Sequence, residues 1–269
     1  MAYGDTFQIE QATSVKPNDM VLLHSHQNHE LYYLISGQRR YFIGHTIFDV
    51  YPGNLVIIPR TELHRTTSPG TKGYDRYVLY FSDKEMGDLI DTVGKSAYEE
   101  FLQVSCLQLP PAVARQVKQE MELLMQERML KRPYADAFAV QHLRNILLAA
   151  LRHGTRREPC TGETADKIQE VARYISQNYQ RELTLGEAAA MAFMEETYFS
   201  KQFKKLTGFG FREYLTQTRI RAAEQLLQTT ALSVSAIAEQ CGFSGGNYFG
   251  DAFRRCTGLS PREYREKYR

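Results

Sequence analysis

The chain has 269 residues, 43% of them hydrophobic, and 33 basic against 31 acidic side chains leave a formal charge of +2. That length suits about two domains with real apolar cores, and charge this balanced rules out naming a partner from totals alone. There is no 18-residue apolar run to span a bilayer, the opening MAYGDTFQIEQ lacks the parts of an export signal, and Cys106, Cys160, Cys241 and Cys256 show no C-x-x-C spacing, so a cytoplasmic chain with reduced thiols is expected.

Residues 20–82 read as short strands. VLLHSH (21–26), ELYYLISG, RRYFIG, TIFDVYPG, NLVIIP and YDRYVLYF are rich in β-branched and aromatic side chains, and Gly37, Gly44, Pro52-Gly53 and SPGTKG punctuate them. Many short strands at close spacing predict an antiparallel barrel or jelly roll over about 10–83. Within it runs His24-Ser-His26-Gln-Asn-His-Glu30, with Gly37 seven residues on, then Gly53, Pro59 and His64. His24 and His26 sit two apart on a strand and so share a face, and Tyr32 alternates onto the face of Glu30. This pattern resembles the two cupin motifs, H-x-H-x3-E-x6-G and G-x5-P-x-G-x2-H. The first matches in full; the second departs at Thr61, where glycine is usual. The resemblance implies that His24, His26, Glu30 and His64 hold a divalent ion, for which three imidazoles and a carboxylate are suited. The competing reading is a pocket for a small effector, lined by His24, His26, Glu30, Tyr32 and His64 without essential metal. A third is polar interior groups that satisfy one another. His29, His45, His142 and His153 show no ligand spacing.

The chain changes character over 84–153. Pro110-Pro111 opens a helix with Val113, Val117, Met121, Leu124 and Met125 at helical spacing, and Tyr134–Arg152 supplies a second. Both are expected to pack on the barrel. Residues 154–163, GTRREPCTGE, are polar, with glycine and proline and no period, and read as a linker.

From 164 to 269 the chain is helical and repeats itself. TYFSKQFKKLTGFGFREY (197–214) returns as NYFGDAFRRCTGLSPREY (247–264), with Tyr198/Tyr248, Phe199/Phe249, Phe203/Phe253, Thr207/Thr257, Gly208/Gly258, Arg212/Arg262, Glu213/Glu263 and Tyr214/Tyr264 identical. Such self-similarity marks one supersecondary unit used twice. Thr184-Leu-Gly-Glu187 predicts a capping box, and Ser233 the matching cap of the second copy. Each first helix is followed by a break, one residue longer in the second copy, and then by a helix ending at Gly208 or Gly258, where a left-handed C-cap favours glycine. Two short helices joined by a tight turn are helix-turn-helix geometry, and Lys201, Lys204, Lys205, Arg254 and Arg255 put cations on the second helices.

Residues 164–269 resemble the DNA-binding domain of AraC/XylS-type transcription regulators, most closely over IAEQCGFSGGNYFGDAFRRCTGLSPREYR (237–265). The resemblance implies a long bridging helix at Phe211–Leu227, base-facing positions Thr197, Ser200 and Lys201 in the first copy, and Asn247, Gly250 and Asp251 in the second. It further implies a small-molecule effector, with sugars common in the family, homodimerisation through the middle helices, and RNA polymerase as a further partner. Gly245, Gly246, Gly250 and Asp251 depart from the family pattern and predict that the first copy supplies most base readout. The whole is thus expected to be an α+β multidomain chain. An N-terminal antiparallel barrel with appended helices fills 1–153, and an all-α domain follows the 154–163 linker. It is read as a one-component regulator of promoter double-stranded DNA and not as an enzyme; a metal-dependent cupin enzyme, or a regulator whose barrel only dimerises, are the alternatives.

Overall fold

Alternation in the first half and a 3.6-residue period in the second give the chain its two kinds of architecture. The computed structural model describes residues 7–16, 28–70 and 72–268, apart from the side chains of Gly246 and Asn247. It divides into two units, one formed by the described residues of 1–43 with 48–159, the other by 44–47 with 160–269.

In the first unit β1 (Gln8–Ser14), β2 (His29–Ser36), β3 (Arg39–Ile43), β4 (Thr46–Val50), β5 (Asn54–Ile58), β6 (His64–Thr67) and β7 (Tyr74–Phe81) come first. Then follow α1 (Gly87–Val93), α2 (Lys95–Leu102), β8 (Cys106–Gln108), α3 (Pro111–Leu130), α4 (Ala135–His153) and β9 (Thr155–Arg156). Six strands form one sheet in the order β1-β7-β2-β5-β8-β9, and β4-β3-β6 form a second. The paired neighbours of the large sheet run antiparallel, with Leu31 opposite both Ile57 and Leu79. Both faces of β2, β5 and β7 are covered, so these strands read as nearly unbroken apolar runs. One face, with Tyr32, Leu34, Val56, Ile58 and Val78, joins Tyr41, Ile43, Phe48 and Val50 of the small sheet in one core. The other face, with Leu31, Tyr33, Leu55, Ile57, Leu79 and Phe81, meets Val117, Met121, Leu124, Leu143, Ile146 and Leu147 of α3 and α4 in a second. Pro111 stands at the first position of α3, where its missing N–H costs nothing.

The expected strand VLLHSH lies outside the described residues. Four strands were not signalled by the sequence. β1 reads QIEQATS because it is an edge strand with its polar residues to solvent, and β6, HRTT, is short and half polar. β8 interrupts the stretch expected to be helical throughout, and β9 occupies Thr155–Arg156 inside the expected linker, pairing with β8. Both are too short to carry a period. Thr61, where the sequence motif favours glycine, nonetheless adopts the left-handed backbone, at φ 62°. A β-branched residue there is strained by about 1–2 kcal/mol.

The second unit holds α5 (Glu163–Asn178), α6 (Leu185–Met191), α7 (Glu196–Thr207), α8 (Phe211–Thr229), α9 (Val234–Gln240), α10 (Gly246–Thr257) and α11 (Pro261–Tyr268). Thr184 and Glu187 close the capping box at the start of α6, and the Ser233 hydroxyl accepts from the Ala236 N–H at 3.1 Å at the start of α9. Residues 192–195 join α6 to α7 and residues 241–245 join α9 to α10, so the second turn is one residue longer. Each turn contains a left-handed residue, Phe193 at φ 54° and Gly242 at φ 82°. Gly208 and Gly258 cap α7 and α10 in the left-handed conformation.

The identical positions of the repeat build identical joints. The ring pairs Phe199–Phe203 and Phe249–Phe253 lie 5.4 and 5.5 Å apart, and all four rings are fully buried. At about 2–3 kcal/mol for each buried ring they hold much of the stability of both copies. Thr207 donates to the Phe203 carbonyl and accepts from the Phe209 N–H; Thr257 does the same with Phe253 and Leu259. Glu213 and Glu263 accept from the Gly210 and Ser260 N–H groups at the next helix start. The bridging helix α8, 19 residues long, spans about 28 Å.

Candidate nucleic-acid interface and ligand face

Burying Phe199 and Phe203 forces the opposite side of α7 outward. Thr197, Lys201 and Lys204 are exposed and Ser200 half-buried, and at spacings of three and four residues they form one stripe. Lys205 lies on the flank of that stripe, on the same side of the helix as Tyr198 but about two turns further on. Asn247, Gly250, Asp251 and Arg254 occupy the same register on α10, with Arg255 on the flank; Asp251, Arg254 and Arg255 are exposed, and the Asn247 side chain is outside the described set. The two stripes differ in chemistry. Counted with their flanks, the first offers a hydroxyl pair and three ammonium groups, whereas the second offers bare backbone at Gly250, one carboxylate and two guanidinium groups. A Cβ added at Gly245 or Gly250 would meet nothing within 4 Å, so packing within the fold does not require glycine at either place.

Glu195 caps α7 through the Thr197 and Tyr198 N–H groups, and these backbone bonds hold its carboxyl below the ordinary value. A negative charge therefore stands at the start of the first stripe. The sequence reading missed four residues here. Tyr198 and Tyr248, 48% and 54% exposed, and the exposed Arg212 and Arg262 are identical in both copies, with Tyr248 resting on the core ring of Phe243 at 6.0 Å. Their identity at exposed positions was the available signal.

In the first unit the structure brings Glu30, Tyr32 and His64 together on the inner face of the sheets; His24 and His26 lie outside the described residues. Glu30 Oε2 and His64 Nε2 are 3.6 Å apart with both side chains buried. His64 Nδ1 donates to the Glu62 carbonyl at 2.9 Å, which turns Nε2 toward Glu30. Burial disfavours an imidazolium at His64, but the Glu30 hydrogen bond and charge outweigh it and raise the pKa. Tyr32 is 1% exposed and its hydroxyl has no hydrogen-bond partner among the described residues. Burial pushes that phenol well above its usual pKa, so it stays protonated.

Two arginines that the sequence reading did not single out share this face. Arg39, buried, donates to the Thr66 and Ser68 hydroxyls and stacks on Tyr74 at 4.1 Å. Arg76 lies over the Tyr32 ring at 5.5 Å and donates to Glu10 at 3.3 Å. Their alternation with Tyr41 on β3 and with Tyr74 and Val78 on β7 was the signal: arginine inside an otherwise apolar period. Among the described residues no cluster of three metal-ligating side chains occurs.

Residues 16–147 match the AraC-like ligand binding domain family, and residues 188–267 match the helix-turn-helix domain family. The HTH-type transcriptional regulator YijO of Escherichia coli K12 is 26% identical over 222 residues, 81% of this chain and 74% of that protein. The regulatory protein PocR of Salmonella typhimurium is 34% identical over 101 residues, which span 38% of this chain and only 33% of PocR. The solved DNA-binding domain of AdpA in complex with a target DNA is 31% identical, covers 40% of this chain and 95% of that one, and aligns with a TM-score of 0.37. The chain belongs to the AraC-type transcription regulators, with a ligand-binding domain followed by a DNA-binding domain of helix-turn-helix type.

Proposed function

We propose that a small-molecule effector, a sugar or close relative, occupies the inner face of the N-terminal sheets and changes how two protomers present their DNA-binding domains to a promoter. An effector does this only through different affinities for the two arrangements. α7 is the principal reader: Thr197, Ser200 and Lys201 meet base edges while Lys204 and Lys205 meet phosphates. α10 grips backbone through Arg254 and Arg255, with Asn247 and Asp251 as its base-facing side chains. Asp251 repels phosphate but can accept from cytosine N4. Tyr198, Tyr248, Arg212 and Arg262 add a contact common to both copies. Reading helices in successive major grooves require subsites about 34 Å apart, near the length of α8.

The observation that carries this reading is the shared register of the two exposed stripes over two matching aromatic cores. Selection of binding sites from a random DNA pool tests it. Lys201→Ala is expected to relax base preference more than Asn247→Ala does; equal or reversed effects overturn the division of labour.

Effector contacts are assigned to Glu30, Tyr32 and His64, with His24 and His26 completing the set. Glu30 and His64 also fit the carboxylate and one imidazole of a divalent-ion set whose other members, His24 and His26, lie outside the described residues; an ion held there would polarise an effector oxygen. Exposed Met129, Leu130, Tyr134 and Phe138 at the α3–α4 end support a homodimer seam. The protein is read as a cytoplasmic regulator acting with RNA polymerase, and no catalytic residue is assigned.

A further inference from the structure

The inner face of the N-terminal sheets carries more positive charge than a neutral sugar needs. Glu30 and His64 face each other as a pair. Arg39 lies buried among Thr66, Ser68 and the Tyr74 ring. Arg76 is different in kind. Its side chain is 20% exposed, one N–H reaches Glu10 on the edge strand β1, and the guanidinium lies over Tyr32, whose buried hydroxyl has no partner among the described residues. A buried hydroxyl without a partner loses its hydration uncompensated, and a bound acceptor would restore the missing bond. A planar guanidinium over that ring, 5.5 Å from its centre, can offer paired N–H donors that match the two oxygens of a carboxylate.

We propose that the effector is a small hydroxylated carboxylate of the sugar-acid kind, its carboxylate held by Arg76 and the Tyr32 hydroxyl and its hydroxyls by Glu30 and His64. This rests on the reading of the inner face as the effector site. Glu10, 47% exposed at the edge, is then the internal competitor for Arg76. The ligand carboxylate displaces it, and the Arg39 charge behind the phenol adds attraction without contact.

The test is calorimetric titration of the full chain at fixed ionic strength with matched pairs: D-gluconate against D-glucose, D-galacturonate against D-galactose, and glucose 6-phosphate as the other anion. At least one sugar acid is expected to bind 10-fold or more tightly than its neutral parent. Arg76→Gln and Tyr32→Phe should each weaken it 10-fold or more, while Arg76→Lys, which retains the charge, loses less. Glu10→Gln should strengthen it several-fold, a gain that a misfolded variant cannot produce. No millimolar binding of either acid, equal binding of acid and parent, stronger binding of the phosphate ester, or a Glu10→Gln variant that binds no better overturns the carboxylate assignment. A neutral sugar whose binding is lost in Tyr32→Phe would leave the effector site standing while the acid is rejected. Ligand binding untouched by Tyr32→Phe and Arg76→Gln alike would sink both.

Discussion

Glu224 is the group whose replacement gives the most quantitative check on the second unit. It lies on the bridging helix α8, 5% exposed, and takes a hydrogen bond from Tyr264 of α11, which in turn accepts from Gln228 at 2.9 Å. Burial raises its carboxyl to about 7, against the opposing effects of Tyr264 and Arg221, from an ordinary 4.5. A raised carboxyl means that the folded chain binds the proton more tightly than the unfolded chain. Its stability is therefore fullest below pH 4.5, falls as the pH rises through the interval from 4.5 to 7, and is level above. At about 1.4 kcal/mol for each pH unit the full interval sets a ceiling of roughly 3 kcal/mol on the loss. Glu224→Gln keeps the shape and an acceptor for Tyr264 but never ionises. At pH 8 it should melt above the wild type, by about 4–8 °C for each kcal/mol of that loss, and near pH 5 the two should converge. Scanning calorimetry of the full chain reads this out, with the C-terminal transition assigned as the one that duplex DNA shifts. A difference that stays constant from pH 5 to pH 8, or widens toward acid, refutes the buried-carboxylate account.

Thr61→Gly and Phe193→Gly should each stabilise the chain by about 0.5–1 kcal/mol in urea titrations, because both residues hold left-handed backbone and Phe193 is 87% exposed; destabilisation would show that a side-chain contact outweighs the strain. Gly250→Ala should add about 1 kcal/mol to α10, since its Cβ would stand in open space, and yet weaken DNA binding if the duplex passes close to that helix. Unchanged affinity in a gel-shift titration would exclude such a close approach. On the proposed homodimer seam, Phe138→Glu should weaken self-association at least 10-fold by sedimentation; association unaltered by the change would overturn that seam.

The N-terminal fold was legible where strands had both faces covered, because ELYYLIS, NLVII and YDRYVLYF each carry enough apolar residues to announce themselves. It was illegible at its edges. β1 is polar for the same reason that it closes the sheet, and β8 and β9, at three and two residues, owe their strand form to pairing partners distant in sequence. The shared face of Glu30 and Tyr32 followed from alternation and His64 was grouped with them by the motif resemblance, but Arg39 and Arg76 escaped notice. Arginine in a strand reads as solvent-facing until the opposite sheet is known to cover it.

The C-terminal repeat separates two kinds of information that a single copy would mix. Positions identical in both copies mostly have structural work: the phenylalanine pairs fill the cores, the threonines tie the helix ends, the glycines turn the chain, and the glutamates cap α8 and α11. Positions that differ, 197 against 247, 200 against 250 and 201 against 251, fall in the register of the two stripes and not in that of the phenylalanine pairs. One scaffold thus presents two unlike surfaces. A hydroxyl-and-ammonium stripe favours donors and acceptors at base edges, while a glycine-carboxylate-guanidinium stripe leaves charge for the backbone. The asymmetry of the two modules follows from chemistry at three pairs of stripe positions, with no difference needed in the phenylalanine cores.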